Sequence, residues 1–75
     1  MNELDVYKKR IKLLRVEQSK TQSEIAAYLG TSQTMYARYE RGANELPIRH
    51  LIALSKYYNT STDYILGLSE QKQPL

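Results

Sequence analysis

Apolar positions recur along this chain with a helical period. Tyr7, Ile11 and Leu14 fall at i, i+4 and i+7, which predicts a first helix over about residues 5–17 with Asp5 at its positive end. Ile25, Ala26 and Leu29 mark a second helix over 22–29, and Met35, Tyr36 and Tyr39 a third over 33–41. Leu51, Leu54 and Tyr58 predict a fourth, from about 47 to 58, with Ile48 and Ser55 flanking its inward face. A short fifth helix spans 62–66. No segment alternates with the period of a strand, so the expected fold is all-α with five helices.

The polar punctuation agrees with these spans. Thr21 and Glu24 have capping-box spacing, in which each side chain accepts from the other residue's main-chain N–H. Gly30 suits a left-handed turn where the second helix stops. Ser32 caps the third helix and Gly42 closes it. Pro47 fits the first position of the fourth helix, because no N–H is needed there. Asn59 and Thr60 break that helix, Ser61 caps the fifth, and Gly67 ends it. Residues 1–4 are expected to be frayed, and residues 69–75 to form a polar, mobile tail outside a 1–68 domain.

Helix, short glycine turn, helix over 21–42 is the layout of a DNA-binding helix-turn-helix, whose second helix enters the major groove. At 100° per residue, Gln33, Ala37, Arg41, Thr34 and Arg38 share about 140° of that helix. Met35, Tyr39, Tyr36 and Glu40 share another such arc. The large side chains need a core. The polar side can meet base edges: Gln can pair with adenine, Arg with guanine, and a Thr methyl with thymine. Ala37 allows close approach by being small. Glu40 falls on the inward arc, and a buried carboxylate needs a partner. Arg15, next to Leu14 on the first helix, is the expected one.

Composition narrows the alternatives. The chain has 75 residues, no cysteine, and a net charge of +3. That size supports one small domain. Without cysteine there is no disulfide framework and no thiolate metal site, which suits a reducing cytoplasm. No apolar run reaches the length of a membrane span, and the first residues lack the apolar stretch of a signal peptide. Six of the eleven cations lie in the first twenty residues. Lys8, Lys9 and Lys12 can form a solvated face or contact a phosphate backbone; Lys20 is a further candidate for such contact. His50 is the only histidine, expected to be exposed or at the rim on the fourth helix. It lacks the partners of a metal site or a catalytic pair, so neither an enzyme nor a cofactor is expected. Most of the seven tyrosines are expected to be half-buried core residues.

The run from Thr21 to Gly42, then Pro47, then LIALSKYYNTSTDYILG, closely resembles the Cro/phage-repressor-type (XRE-like) helix-turn-helix family over about residues 5–68. The resemblance rests on Gln22, Glu24, Ala26, Gly30, Ser32-Gln33, Tyr39-Glu40-Arg41-Gly42, Pro47 and Asp63 to Gly67. It implies a compact five-helix, lambda-repressor-like domain. It implies a phosphate contact from the Gln22 side chain or N–H, groove-facing roles for Ser32, Gln33, Thr34 and Arg38, and backbone contact from Arg41 and the loop after Gly42. It implies an Arg15–Glu40 ion pair, in agreement with the helical wheel. Homodimers on palindromic sites, often joined through the C-terminal helix region, are usual in the family. Two positions depart from the pattern. The 43–46 loop carries no cation and one anion, where some relatives carry several cations. Thr60 stands where an apolar residue is usual, so a looser joint between the last two helices is expected.

The expected function is a transcriptional regulator that binds double-stranded DNA sequence-specifically. It is expected to repress as a cytoplasmic homodimer on a palindromic operator, with Lys12 and Lys20 joining Gln22 and Arg41 on the phosphates. The alternative is a protein-interaction module, antitoxin-like or anti-repressor, that uses the same fold to hold a protein partner.

Overall fold

The computed structural model describes residues 3–74 and contains five helices in chain order: α1 Glu3–Glu17, α2 Gln22–Leu29, α3 Gln33–Arg41, α4 Ile48–Tyr58 and α5 Thr62–Leu66. Residues 1–2, expected to fray, lie outside the described residues. Helix α1 begins at Glu3, two residues before the expected start at Asp5, so residues 3 and 4, expected to fray, are helical.

The local chemistry of the ends is as the sequence implies. Thr21 Oγ1 accepts from the Glu24 N–H at 3.0 Å, and Glu24 Oε1 accepts from the Thr21 N–H at 3.0 Å. Gly30 then takes φ +74°, which a residue with a Cβ rarely adopts, and the chain turns into α3 within three residues. Ser32 caps α3 by accepting from the Met35 N–H at 3.1 Å. Pro47 differs from expectation. Its ψ of 149° is extended, so it is the N-cap of α4 rather than its first helical residue. Its carbonyl accepts from the N–H groups of His50 and Leu51.

The core draws on every helix: Tyr7, Ile11 and Leu14 of α1, Ile25 and Ala26 of α2, Tyr36 and Tyr39 of α3, Leu54 and Tyr58 of α4, and Ile65 of α5. Full burial of an aliphatic side chain such as Ile11 or Leu54 contributes roughly 1.5–3 kcal/mol. Helix α2 packs on α3, while α1 packs on both α3 and α5. Leu29 and Met35 are partly buried against this cluster.

Helix α4 is rotated relative to its expected inward face. His50, Leu54 and Tyr58 are buried, and Leu51 is only partly so. His50 is 5% exposed, and its ring stands edge-on to Tyr39, with 5.7 Å between centroids. Its expected exposed or rim position is therefore corrected. Ile48, on the other side of the helix, is 73% exposed. Thr60 is also buried, and the joint it forms is closed by hydrogen bonds. Its hydroxyl donates to the Tyr58 carbonyl at 3.1 Å, and Ser55 Oγ donates to the Thr60 carbonyl at 2.6 Å. A looser joint is not what the polar substitution produces.

Residues 69–74 fold back over α1 and α5. Arg10 stacks 4.1 Å above the Tyr64 ring. It donates to the carbonyls of Tyr64 and Ser69 and to both Glu70 carboxylate oxygens. Lys72 pairs with Glu17 at 3.0 Å, and Ser61 bonds the carbonyls of Gln71 and Lys72. These are the contacts that the polar segment, expected to be a mobile tail, makes with α1 and with the start of α5.

Candidate nucleic-acid interface

Helix α3 carries the candidate site because its two faces differ. Tyr36 and Tyr39 anchor one face in the core. Ser32, Gln33, Thr34 and Arg41 are exposed on the other, with Ala37 and Arg38 half-buried beside them. The structure thus brings the expected groove-facing residues onto one surface.

Glu40 fixes how that surface is held. Its side chain is 4% exposed, and it meets Arg15 through two bonds, Nε to Oε2 at 2.7 Å and Nη2 to Oε1 at 3.0 Å. The remaining Arg15 nitrogen donates to the Lys20 carbonyl at 2.9 Å. One guanidinium therefore ties α1 to α3 and to the loop that enters α2. Burial pushes the Glu40 carboxyl up, but the hydrogen bonds from Arg15 and Gln22 outweigh it and hold the group below the usual carboxylate range. The Tyr36 hydroxyl beside it is held well above the usual phenol range by burial first and by the Glu40 charge second. That hydroxyl closes no hydrogen bond of normal geometry.

A line of amides continues from the ion pair. Gln22 Nε2 donates to Glu40 Oε1 at 3.1 Å, and Gln33 Nε2 donates to Gln22 Oε1 at 2.8 Å. The carboxylate only accepts, so Gln22 must turn its NH2 toward it. Its oxygen is then left facing Gln33, which must donate in turn. Gln33 keeps one N–H and its Oε1 for an outside partner. That donor and acceptor, side by side, match adenine N7 and N6 in the major groove. The Gln22 side chain thus bridges Glu40 and Gln33 and keeps one N–H. The main-chain N–H groups of Gln22 and Ser23, at the first turn of α2, are the further donors α2 offers a phosphate.

Arg38 is held as well. Its Nε donates to Asn44 Oδ1 at 2.7 Å, a contact across the 43–46 loop that the residue pattern does not reveal. Asparagine in a loop signals only a turn former. The Ser32 hydroxyl oxygen accepts in the α3 cap and keeps its own proton for donation.

The cations divide into groups. Lys8 pairs with Asp5 at 2.8 Å, and its stem lies over Gly42. Arg10 and Arg15 are committed to the tail and to Glu40. Lys12 is exposed on α1, and no hydrogen bond or ion pair ties it to α3 among the described residues. Lys20 is half-buried at the entrance to α2, and Arg41 is exposed in the last turn of α3. No group of His, Cys, Asp and Glu could hold a metal ion among the described residues. No helix there is long and apolar enough to cross a membrane.

Comparison with known proteins points the same way. A helix-turn-helix family model matches residues 11–65. An uncharacterized HTH-type transcriptional regulator of Bacillus subtilis (strain 168), YobD, is 32% identical over 69 residues, which are 92% of this chain and 62% of that protein. The HTH-type transcriptional regulator ImmR of the same organism is 39% identical over 62 residues, 83% of this chain and 49% of the relative. The chain spans between about half and three fifths of the length of these relatives. No solved structure gives a significant match.

Proposed function

The chain belongs to the Cro/phage-repressor-type helix-turn-helix family of DNA-binding transcription regulators, which are not enzymes, and from that premise we propose that it is a repressor that binds a palindromic operator as a homodimer. Helix α3 lies in the major groove, and Gln33, Thr34, Ala37, Arg38 and the Ser32 hydroxyl face the base edges. The Gln22 N–H, Arg41, Lys12 and Lys20 face phosphates. Repression follows from occupancy of the operator, in the cytoplasm.

One observation carries this reading. The Glu40–Gln22–Gln33 line leaves Gln33 with one donor and one acceptor directed by a buried ion pair. A solvent-facing glutamine gains nothing from such fixing; a base-reading one is preorganised by it. The homodimer belongs to the palindromic-operator reading: successive half-sites lie roughly 34 Å apart, and a Cα span of 29 Å suits one half-site per copy.

Selection of bound duplexes from a random DNA pool tests the proposal. Enrichment of a two-fold-symmetric motif is the expected result. No enrichment, or an asymmetric motif, would overturn the operator reading.

An apolar groove favours a second reading. Tyr7, Leu46, Ile48, Leu51 and Leu66, with Glu45, line about 140 Å³. An antitoxin-like protein would hold its partner on such a surface. Absence of a DNA motif, together with a stable complex with another protein, would select that reading.

A further inference from the structure

Resting on the reading of Arg38 as a base-contacting residue, we propose that Asn44 is a specificity-determining positioning residue, which sets the Arg38 guanidinium for guanine without itself touching a base. Asn44 grips residue 38 at both ends. Its side-chain oxygen accepts from Arg38 Nε at 2.7 Å, in a partly buried contact. Its main-chain N–H, together with that of Ala43, bonds the Arg38 carbonyl, at 3.3 and 2.9 Å.

The chemistry of arginine gives the side-chain contact its consequence. A guanidinium has five N–H donors, and the bond at Nε uses one. Four remain on the two terminal nitrogens. Anchoring Nε fixes the plane of the head group and directs the edge formed by Nη1 and Nη2 away from the loop. That edge is the one that can bond guanine O6 and N7 together. Without the anchor the guanidinium turns freely, and binding must immobilise it. The 43–46 loop carries no cation, so its part in recognition is to aim Arg38 rather than to hold phosphate.

The main-chain bonds do not depend on the Asn44 side chain, so Asn44→Ala leaves the end of α3 in place. Asn44→Asp keeps the accepting oxygen and adds a negative charge. The experiment measures binding of wild type, Asn44→Ala, Asn44→Asp and Arg38→Ala to duplexes varied one base pair at a time, at fixed salt. Circular dichroism melts confirm that each variant is folded.

Arg38→Ala identifies the base pair that Arg38 reads. At that pair alone, Asn44→Ala is expected to lower discrimination by about 3- to 10-fold, the factor set by immobilising one flexible side chain. Asn44→Asp is expected to keep the preference while weakening all duplexes alike. Full retention of the preference in Asn44→Ala, when Arg38→Ala has lost it, would overturn the role of Asn44. Tighter specific binding by Asn44→Ala would overturn it too, since Asn44 would then be withholding Arg38 from DNA. If Arg38→Ala alters no base preference, the groove assignment of Arg38 fails, and the role of Asn44 falls with it.

Discussion

Arg15 and Glu40 meet side by side, with Nε–Oε2 at 2.7 Å and Nη2–Oε1 at 3.0 Å, and this two-bond contact locks α1 to α3. Both side chains are largely out of water, at 13% and 4% exposed. Their geometry is the planar, paired arrangement that suits arginine and that lysine cannot reproduce. Gln22 and then Gln33 extend from it toward the exposed face of α3. The same pair therefore supports both the fold and the proposed reading surface.

Removing one partner should be severe. Arg15→Met leaves a buried carboxylate unpaired, and a loss of about 3–5 kcal/mol is expected in urea unfolding. Replacing both, as Arg15→Met with Glu40→Leu, should recover much of that loss, because no buried charge remains. A loss under about 1 kcal/mol in the single variant would mean that the pair behaves as a surface one.

Acid should weaken the fold in two stages. Burial first, and the nearby Arg49 charge second, hold the His50 imidazole below its usual range. The unfolded chain then binds a proton more readily than the folded one. Stability is full above about pH 6.5 and falls as pH drops from there toward the lower folded pKa. Glu40, also lowered, adds its own loss below about pH 4.5 as its carboxylate is protonated. Melting temperature measured from pH 7.5 to 5 should decline for wild type and stay nearly flat for His50→Gln. A rise in stability toward pH 5 would contradict the buried, neutral histidine.

The glycines at two helix ends should respond differently to alanine. Gly30 has φ +74° and nothing within 4 Å of a built Cβ, so Gly30→Ala meets only backbone strain, about 1 kcal/mol. A Cβ at Gly67, φ +84°, would lie 2.6 Å from Val6 Cγ1 and 3.0 Å from Val6 Cβ. The β-branched Val6 cannot swing aside easily. Gly67→Ala should therefore be the more destabilising, and thermal melts of the two variants compare them directly. Equal losses would show that the α1–α5 contact yields.

The helix ends were legible in the residues because their chemistry is local. Thr21 with Glu24, Ser32, Ser61 and the three glycines act within a few positions of themselves. The Arg15–Glu40 pair was legible for another reason: two helical wheels turned one carboxylate and one guanidinium inward. The committed state of Arg10 was not. In the run Lys8 to Lys12 it looks like one cation among several, and its partners lie more than fifty residues away. The burial of His50 is not legible, because Leu51, the more apolar neighbour, marks the expected face of α4. Polarity along α3 marked its exposed side, but not that Gln22 and Asn44 orient the side chains there.

The tail contact at Arg10 has its own test. Arg10→Ala removes the stacking on Tyr64 and the bonds to the Tyr64 and Ser69 carbonyls. A loss of about 1–3 kcal/mol is expected, together with faster proteolysis of the 69–74 segment. Arg10→Lys should restore little, since an ammonium cannot stack flat and fork at once. Unchanged proteolysis in Arg10→Ala would show that Lys72 and Ser61 suffice to hold the segment.

The reading face of α3 is tested most directly by a ratio: affinity for the selected operator over affinity for random duplex, at one salt concentration, for wild type and Gln33→Ala. Loss of one bidentate base contact should lower that ratio by the equivalent of about 1–3 kcal/mol, with random-duplex affinity unchanged. Arg41→Ala, the control, should weaken both duplexes alike and reduce the salt slope by about 1. A ratio that stays at its wild-type value in Gln33→Ala would contradict the assignment of this face to DNA bases.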